Sequence, residues 1–279
     1  MTSKVIAWGP INCNIPAGLN EGDDIVDIAN GLDHGIALTK FGSLVYWKKG
    51  ELSKVVPEIK PTEKIKLGST LKTSFFVSYL VLFGYTVITL IEAIRTPFVH
   101  VRHIMNLETT VSLIAGLVYT YFNTEVQKEN PDLTYISKIR YVDWMITTPM
   151  ILLVLLLFYN PKAGSVDYKI FSGILVLNTG MLLSGYAGET GVLSKIQGGG
   201  LGFVFYAALL YLVYSCCIPK SSNITVFAIF AAIWSMYGLN FYLDNEETKN
   251  INYNVLDVMS KAMFGIVLWL YFGNILDFK

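Results

Sequence analysis

The sequence predicts an all-α membrane protein, a bundle of seven transmembrane helices preceded by a small β-rich N-terminal cap. The first observation is composition: 53% of the 279 residues are hydrophobic and only 15% are charged, whereas soluble proteins carry about 25% charged residues. The second is the distribution of charge, because residues 1–68 hold eight lysines and eight acidic residues while the other 211 residues hold 26 charges. The third is a series of long apolar runs with short connections.

Seven apolar runs are long enough to cross a membrane as helices, because about 20 residues span the hydrocarbon core. They cover residues 73–94, 104–123, 137–159, 168–187, 200–218, 224–243 and 253–276. The connections contain residues typical of loops, namely Pro97, Asn130-Pro131, Asn160-Pro161, Gly198–Gly200, Pro219-Lys220 and residues 244–252. Connections this short place consecutive helices side by side in one antiparallel bundle.

The charges of the loops predict the orientation of the bundle. Basic residues predominate after the first, third and fifth runs, with Arg95, Arg102, Lys162, Lys169 and Lys220 against Asp167. Acidic residues predominate after the second and sixth runs, with Glu125, Glu129, Asp132, Asp244, Glu246 and Glu247 against Lys128, Lys138 and Lys249. Because basic loops face the cytoplasm, we expect the N-terminus outside the cell and the C-terminus in the cytoplasm.

Residues 1–68 alternate short β-prone runs with turn residues, a pattern typical of small antiparallel strands. The stretches VIAWG, DIANGLDHGIAL and FGSLVYW resemble a single repeat of the chromosome-condensation-regulator type of β-propeller. One blade cannot close a propeller. We therefore expect an extracellular β-rich cap over residues 1–68 and a membrane domain over residues 69–279.

Several classes of protein are excluded by composition and motifs. The net charge is zero, so the chain lacks the basic field that nucleic-acid binding requires. The three cysteines, Cys13, Cys216 and Cys217, are too few and too badly spaced for a disulfide framework or a zinc site. We find no nucleophile–base set, phosphate loop or metal cluster, and we predict neither an enzyme nor a metal site.

Ionisable residues within the apolar runs are the candidates for function, because a charge in the membrane is costly. Lys261 follows Asp257 by four residues, which places both on one face of a helix. Taken alone, this pair is either a structural ion pair or the setting of a lysine that binds a carbonyl compound covalently. Arg140 and Asp143 lie on one stripe of the third run, and the four charges sum to zero, as a dry interior requires.

The motifs RYVDWMITTP at 140–149 and LDVMSK at 256–261 resemble the third and seventh helices of microbial (type 1) rhodopsins, and the similarity covers residues ~70–276. The resemblance implies that Lys261 forms a Schiff base with all-trans-retinal. It implies that Asp143 is the primary proton acceptor and, with Asp257, the counterion, that Arg140 is an outward-side switch, and that Thr147 hydrogen-bonds Asp143. It also implies a retinal pocket formed by Trp144, Thr148, Ile151, Met181, Gly185, Trp234 and Tyr237.

The chain departs from that family at two positions. Val154 stands where an outward pump carries a proton-donor carboxylate, and Gly238 stands where the sixth helix has proline. Glu108 lies inside the second run, on the expected cytoplasmic half, and three interpretations stay open: a substitute proton donor, a pore carboxylate, or a structural group paired with Arg102. The phrase RHIMNLET around it resembles the rhodopsins of large algal and protist viruses.

These features predict a light-driven ion transporter that moves protons outward, with Glu246 or Glu247 as candidates for proton release. The alternative is a light-gated cation channel in which Asn106, Glu108, Ser112, Asn254 and Asp257 line a hydrated path, and the third hypothesis is a photosensor. The expected partners are membrane lipid and protons or small monovalent cations. A homo-oligomer is expected from family analogy alone.

Overall fold

The computed structural model describes residues 67–160, 167–220 and 222–272, together with the backbone of four strands between residues 25 and 56. The chain divides into two compact units, Met1–Lys66 and Leu67–Lys279. In the first unit, β1 (Ile25–Asn30), β2 (His34–Thr39), β3 (Leu44–Lys48) and β4 (Lys54–Val56) form an antiparallel sheet in sequential order. The VIAWG stretch at residues 5–9 lies outside the described residues.

The second unit is helical in its described part. The helices are α1 (Ser69–Arg95), α2 (Val99–Glu125), α3 (Leu133–Tyr159), α4 (Tyr168–Glu189), α5 (Lys195–Cys217), α6 (Thr225–Asn240), α7 (Glu246–Asp257) and α8 (Phe264–Phe272). A π-helical turn, Val258–Met263, joins α7 and α8 into one continuous span. Within the described residues, five spans are long and apolar enough to cross a membrane, namely α1, α3, α4, α5 and the α7–α8 span.

Polar residues at the helix N-termini determine where several helices begin. Asp132 accepts a hydrogen bond from the main chain of Tyr135 at the start of α3, and Asn245 does the same for Thr248 at the start of α7. Residues 244–252 were predicted to be a loop, and this prediction is wrong from Glu246 onward. Because Asn245 caps the helix, α7 begins seven residues before the predicted span. These seven residues, 246–252, are mostly polar.

The predicted loop at Gly198–Gly200 is also wrong, because these glycines lie inside α5. Helix α5 begins at a reciprocal capping box between Ser194 and Gln197. Gly198 then allows α5 to approach α4 closely: a Cβ atom on Gly198 would lie 2.7 Å from the Cα atom of Gly188. Gly198 therefore contributes to the packing of α5 against α4, and the chain does not reverse direction there.

The interior holds two clusters of buried apolar side chains. The larger cluster joins residues of every helix named above, and the smaller one lies between α1, α2 and the start of α3. Charged side chains, including Arg140, Asp257 and Lys261, are buried in the same bundle. Their placement defines the candidate site.

Candidate functional site

Lys261 lies in the π-helical turn and is only 2% exposed. Its Nζ atom is 2.5 Å from Oδ2 of Asp143 on α3 and 3.3 Å from Oδ1 of Asp257 one turn earlier. One ammonium group is thus held between two carboxylates. With Arg140, 3.2 Å from Asp257, the group has no net formal charge, which lowers the cost of burying four ions.

The two carboxylates have different hydrogen-bond partners. Asp257 accepts four side-chain hydrogen bonds, from Tyr119 (2.8 Å), Tyr237 (2.9 Å), Trp144 (3.2 Å) and Arg140 (3.2 Å). Asp143, by contrast, has Lys261 as its partner on Oδ2 and no partner among the described residues on Oδ1. Four donors therefore stabilise the charged form of Asp257, whereas Lys261 is the partner of Asp143 among the described residues.

Thr147 hydrogen-bonds Asp143, as the resemblance implies, and it does so at the main chain and not at the carboxylate. Its hydroxyl donates to the main-chain carbonyl of Asp143 at 2.9 Å. The two residues are four apart on α3, and a threonine inside a helix readily bonds the carbonyl one turn back. This bond leaves Asp143 Oδ1 open.

Arg140 is completely buried and links the site to α7. Its guanidinium group donates to Oδ1 of Asn254 at 2.5 Å and to Oδ1 of Asn250 at 3.2 Å. Four aromatic rings lie within 5.0–5.6 Å of its central carbon, those of Phe75, Tyr119, Phe122 and Tyr253. These rings replace water around the cation and favour a fixed position.

A cavity extends from Lys261 towards α4 and α5. All seven predicted pocket residues line it, namely Trp144, Thr148, Ile151, Met181, Gly185, Trp234 and Tyr237. Sequence reasoning missed further lining residues, including Tyr141, Leu182, Gly202, Phe203, Tyr206 and Ser260. An aromatic residue or a glycine inside an apolar run can line a cavity or pack in the core, and the sequence does not distinguish the two. These lining residues therefore could not be predicted.

A second charged cluster lies towards the N-terminus of α7, on what we term the Asp257 side of Lys261. This cluster was not predicted from the sequence. Lys249 is buried, 2.6 Å from Glu189 and 3.1 Å from Glu246. Ser137 bridges Asn250 to Glu246 with hydrogen bonds of 3.2 and 3.1 Å. Polar contacts therefore continue from Arg140 to Glu246, whereas Glu247, the other candidate for proton release, accepts from the main chain of Gly68. The spacing of Glu246 and Lys249, which places both on one helix face, was the sequence feature that could have predicted this ion pair.

Glu108 lies on the opposite side of Lys261, which we term the Gly265 side. It is 1% exposed, and Oε2 accepts a hydrogen bond of 3.2 Å from the hydroxyl of Tyr85 on α1. A Cβ atom on Gly265 would overlap both the Tyr85 hydroxyl and Glu108 Oε2. Glu108 is thus placed against the seventh span, four residues beyond Lys261.

Two details of the sequence predictions are wrong near Glu108. Arg102 does not pair with Glu108, because its guanidinium group donates to the main-chain carbonyl of Thr96 at the turn between α1 and α2. Asn106 is exposed rather than aligned with the buried Glu108 and Ser112. At the departures from the family pattern, Val154 is completely buried among apolar residues, and Gly238 leaves room for the ring of Phe203.

Among the described residues, seven helical spans, with the α7–α8 span counted once, and a buried lysine define an integral membrane protein. Residues 69–275 match the family model of the bacteriorhodopsin-like proteins, so the chain belongs to that family of microbial rhodopsins. The match begins at residue 69 and therefore supports the helical membrane fold and not the predicted β-rich cap.

Individual relatives agree with this assignment. The crystal structure of the viral rhodopsin OLPVRII matches with a TM-score of 0.70 and 37% identity, covering 74% of this chain and 99% of that one. The structure of a light-driven proton pump from Leptosphaeria maculans shares the fold, with a TM-score of 0.61, 18% identity, and coverage of 75% and 98%. The resemblance to microbial rhodopsins, including viral ones, is confirmed.

Among curated proteins, a green-light absorbing proteorhodopsin from gamma-proteobacterium EBAC31A08 is 27% identical over 150 residues. That match covers 47% of this chain and 59% of the proteorhodopsin. The chain thus aligns with less than two thirds of the length of this relative.

Rhodopsins of this family bind retinal through a Schiff base on a lysine, and the residues of the cavity fit that group. The wall combines aromatic and aliphatic side chains with few polar groups, as an apolar polyene requires. Lys261 lines the same cavity, and the unpartnered oxygen of Asp143 belongs to the carboxylate that contacts its Nζ atom.

Proposed function

We propose that this protein is a light-driven ion transporter that moves protons outward. The observation that carries this proposal is the asymmetry around Lys261. The carboxylate of Asp143 is partnered by Lys261 among the described residues, while four further donors stabilise the charged form of Asp257. All-trans-retinal bound covalently to Lys261 would supply light absorption and an isomerisation that changes how firmly the lysine nitrogen holds its proton. The fold shared with a known light-driven proton pump is consistent with this activity.

The residues on the Asp257 side support a route for the departing proton. The Lys261 nitrogen gives its proton to the carboxylate of Asp143. Both groups become neutral in the same step. Arg140 then faces fewer negative charges near Lys261 and interacts more strongly with the polar chain that leads through Asn250 to Glu246. In this scheme Glu246, with Glu189 and Lys249, forms the exit end of the route.

Glu108 is the group that we propose returns a proton to the Lys261 nitrogen. It is the buried carboxyl group on the Gly265 side among the described residues, and it lies beside the helix that carries Lys261. The position of the missing donor, Val154, is apolar and fully buried, so α3 offers no substitute there. The hydroxyl of Tyr85 orients the Glu108 carboxyl group.

A light-gated cation channel is the second candidate, because polar groups line the contacts between α1, α2 and the seventh span. Ser74, Ser78, Tyr119 and Asn254 are hydrogen-bonded on the Asp257 side. Thr86, Ser112 and Glu108 continue the line on the Gly265 side. Leu82 and Ala115, both 0% exposed, separate the two groups, and this apolar break favours a pump over a continuous pore.

The deciding experiment is a whole-cell photocurrent at zero voltage with identical solutions on both sides, followed by a voltage sweep. We expect an outward current without any driving force. A current that is zero there and reverses with the cation gradient would establish the channel. Silence at every voltage in well-expressed, coloured protein would leave the photosensor hypothesis.

The role of Glu108 is tested with Glu108→Gln, which keeps the shape and removes the exchangeable acid. We expect the proton of the lysine nitrogen to return about 100-fold more slowly or worse, the range for loss of a positioned proton-transfer group. The readout is the recovery of the dark absorption spectrum after a flash, as a function of pH. Unchanged currents and recovery would exclude Glu108 as the donor.

The orientation, with the N-terminus outside and the C-terminus in the cytoplasm, belongs to this proposal, as do an extracellular β-rich cap over residues 1–68 and a homo-oligomer. Loop charge supports the orientation, and the described antiparallel sheet of the first unit is compatible with a β-rich cap. Lipid and protons or small monovalent cations are the partners implied.

A further inference from the structure

The buried polar groups on the Gly265 side are concentrated at one helix interface. Thr86, Thr89, Glu108 and Ser112 are buried and come from α1 and α2. The same half of α3, α6 and α8 contributes buried apolar residues, namely Val154, Leu155, Phe230, Phe264 and Leu268, and α1 and α2 add Ala93, Val101, Ile104 and Met105 beside their polar groups. Ring contacts of Phe158 and His100 with Phe272 place the end of α3 and the α1–α2 turn at this same end of the bundle.

Four hydroxyl groups form two direct bridges between α1 and α2. Thr86 donates to Ser112 at 3.0 Å, and one turn closer to the α1–α2 turn Thr109 donates to Thr89 at 2.9 Å. We term these four residues the hydroxyl seam. The Ser112 hydroxyl also donates to the main-chain carbonyl of Glu108 at 2.7 Å. The hydroxyl seam therefore lies next to the turn of α2 that carries Glu108.

Each hydroxyl of the seam has one proton and two acceptors within reach. Thr109 can donate to Thr89 Oγ1 or to the carbonyl of Met105, and Thr86 can donate to Ser112 Oγ or to the carbonyl of Leu82. Thr89 and Ser112 likewise each have two main-chain carbonyls available. A carbonyl oxygen only accepts, so the proton-passing contacts are the two hydroxyl–hydroxyl bridges. Either bridge can reverse its direction while the carbonyls hold the hydroxyl that is not donating across it.

We propose that the proton that reloads Glu108 enters between α1 and α2 along the hydroxyl seam. Glu92, partly exposed and three residues beyond Thr89 on α1, lies at the outer end of this path. The proton would pass from surface water across the Thr89–Thr109 bridge, through mobile water to the Thr86–Ser112 bridge, and again through water to the Glu108 carboxylate. This inference rests on the proposed function, in which Glu108 returns a proton to Lys261.

A purely structural role for these threonines is the competing explanation, because threonines in membrane helices commonly donate to the carbonyl one turn back. Substitution by valine removes the hydroxyl at nearly constant shape, and substitution by serine retains it. Thr110→Val is the matched control, because Thr110 neighbours Thr109 on α2, is exposed and donates to the carbonyl of Asn106 at 2.8 Å.

The first measurement uses the protein in the dark, with and without added retinal. After transfer to D2O, infrared spectroscopy follows deuterium exchange at the carboxyl band that Glu108→Gln removes. We expect Thr89→Val and Thr109→Val, singly and together, to slow this exchange about tenfold, less than the ~100-fold loss of a positioned proton-transfer group because water replaces part of the path. Thr89→Ser and Thr110→Val should exchange at the wild-type rate.

The second measurement follows spectral recovery after a flash in the coloured variants. The valine variants should recover more slowly, and azide, a small weak acid that carries protons independently of the seam, should restore the rate. Wild-type exchange and recovery in both single valine variants would overturn the hydroxyl seam while leaving the donor role of Glu108 intact. Wild-type recovery in Glu108→Gln would overturn the proposed donor instead.

Discussion

At the scale of single residues, burial alone does not distinguish Lys261, because Lys249 is equally buried. What distinguishes Lys261 is its position on the wall of an apolar cavity between Asp143 and Asp257, whereas Lys249 contacts Glu189 and Glu246. A lysine nitrogen that faces an apolar cavity is available to a carbonyl compound. Among the buried lysines of the described chain, this position supports the covalent role that we propose for Lys261.

We expect Lys261→Ala to remain colourless when all-trans-retinal is added, because the covalent attachment is lost. The measurement is a visible absorption spectrum of purified protein. Lys138→Ala, a lysine of α3 that does not line the cavity, should give a full visible band. A retained band in Lys261→Ala would contradict the assignment of the whole site.

Asp143→Asn should keep a visible band and lose transport. The amide retains the shape of the carboxylate but cannot accept the lysine proton, so the outward photocurrent at zero voltage should fall about 100-fold or more. Asp244→Asn, which changes an exposed carboxylate on the surface, should transport normally. An undiminished current in Asp143→Asn would require another acceptor.

At the scale of helices, most spans could be predicted from the sequence, but several boundaries could not. Hydropathy located the apolar centres, while helix ends are determined by short-range hydrogen bonds such as the Ser194–Gln197 capping box. The glycines at 198–200 look like a loop in isolation. They lie inside α5, and one of them, Gly198, allows close backbone contact with α4, which is a property of the helix pair and not of either helix.

Gly198→Ala tests this helix contact. The added Cβ would lie 2.7 Å from the Gly188 Cα and 2.8 Å from the Ser184 carbonyl. We expect a loss of about 1–3 kcal/mol in stability, the range for overpacking against a backbone that cannot move aside. The measurement is the denaturation midpoint in detergent, followed by loss of the visible band.

Gly200→Ala is the matched substitution, because a Cβ there meets nothing within 4 Å. We expect it to be neutral or to stabilise the helix by up to ~1 kcal/mol. Equal effects of the two substitutions would mean that the α4–α5 approach does not depend on Gly198.

At the scale of the whole molecule, the direction of transport depends on orientation in the membrane. The excess of basic residues after the first, third and fifth spans predicts that these connections are cytoplasmic. An epitope tag at the N-terminus should therefore be labelled on intact cells, and a tag at the C-terminus only after permeabilisation. The opposite labelling would reverse the proposed direction of proton movement.

The class of the protein and the central charged residues of the candidate site were predictable from the amino-acid sequence alone. Apolar runs of membrane length require helices, because the main chain has no other hydrogen-bond partners in lipid. The lysine, the two aspartates and the arginine were identifiable because charges inside such runs are rare and costly. Their helical spacing and zero net charge then favoured the prediction that the four residues form one shared site.

The tertiary structure decided what each charged residue contacts. Sequence spacing relates residues on one helix, but the partners of Glu108, Thr147 and Lys249 depend on how helices are placed and on which hydroxyl or main-chain carbonyl is nearer. Tyr85 rather than Arg102 meets Glu108 because Gly265 opens space there, and Arg102 is used at a helix turn. Such contacts join residues far apart in the chain, and their geometry is established only when the bundle packs.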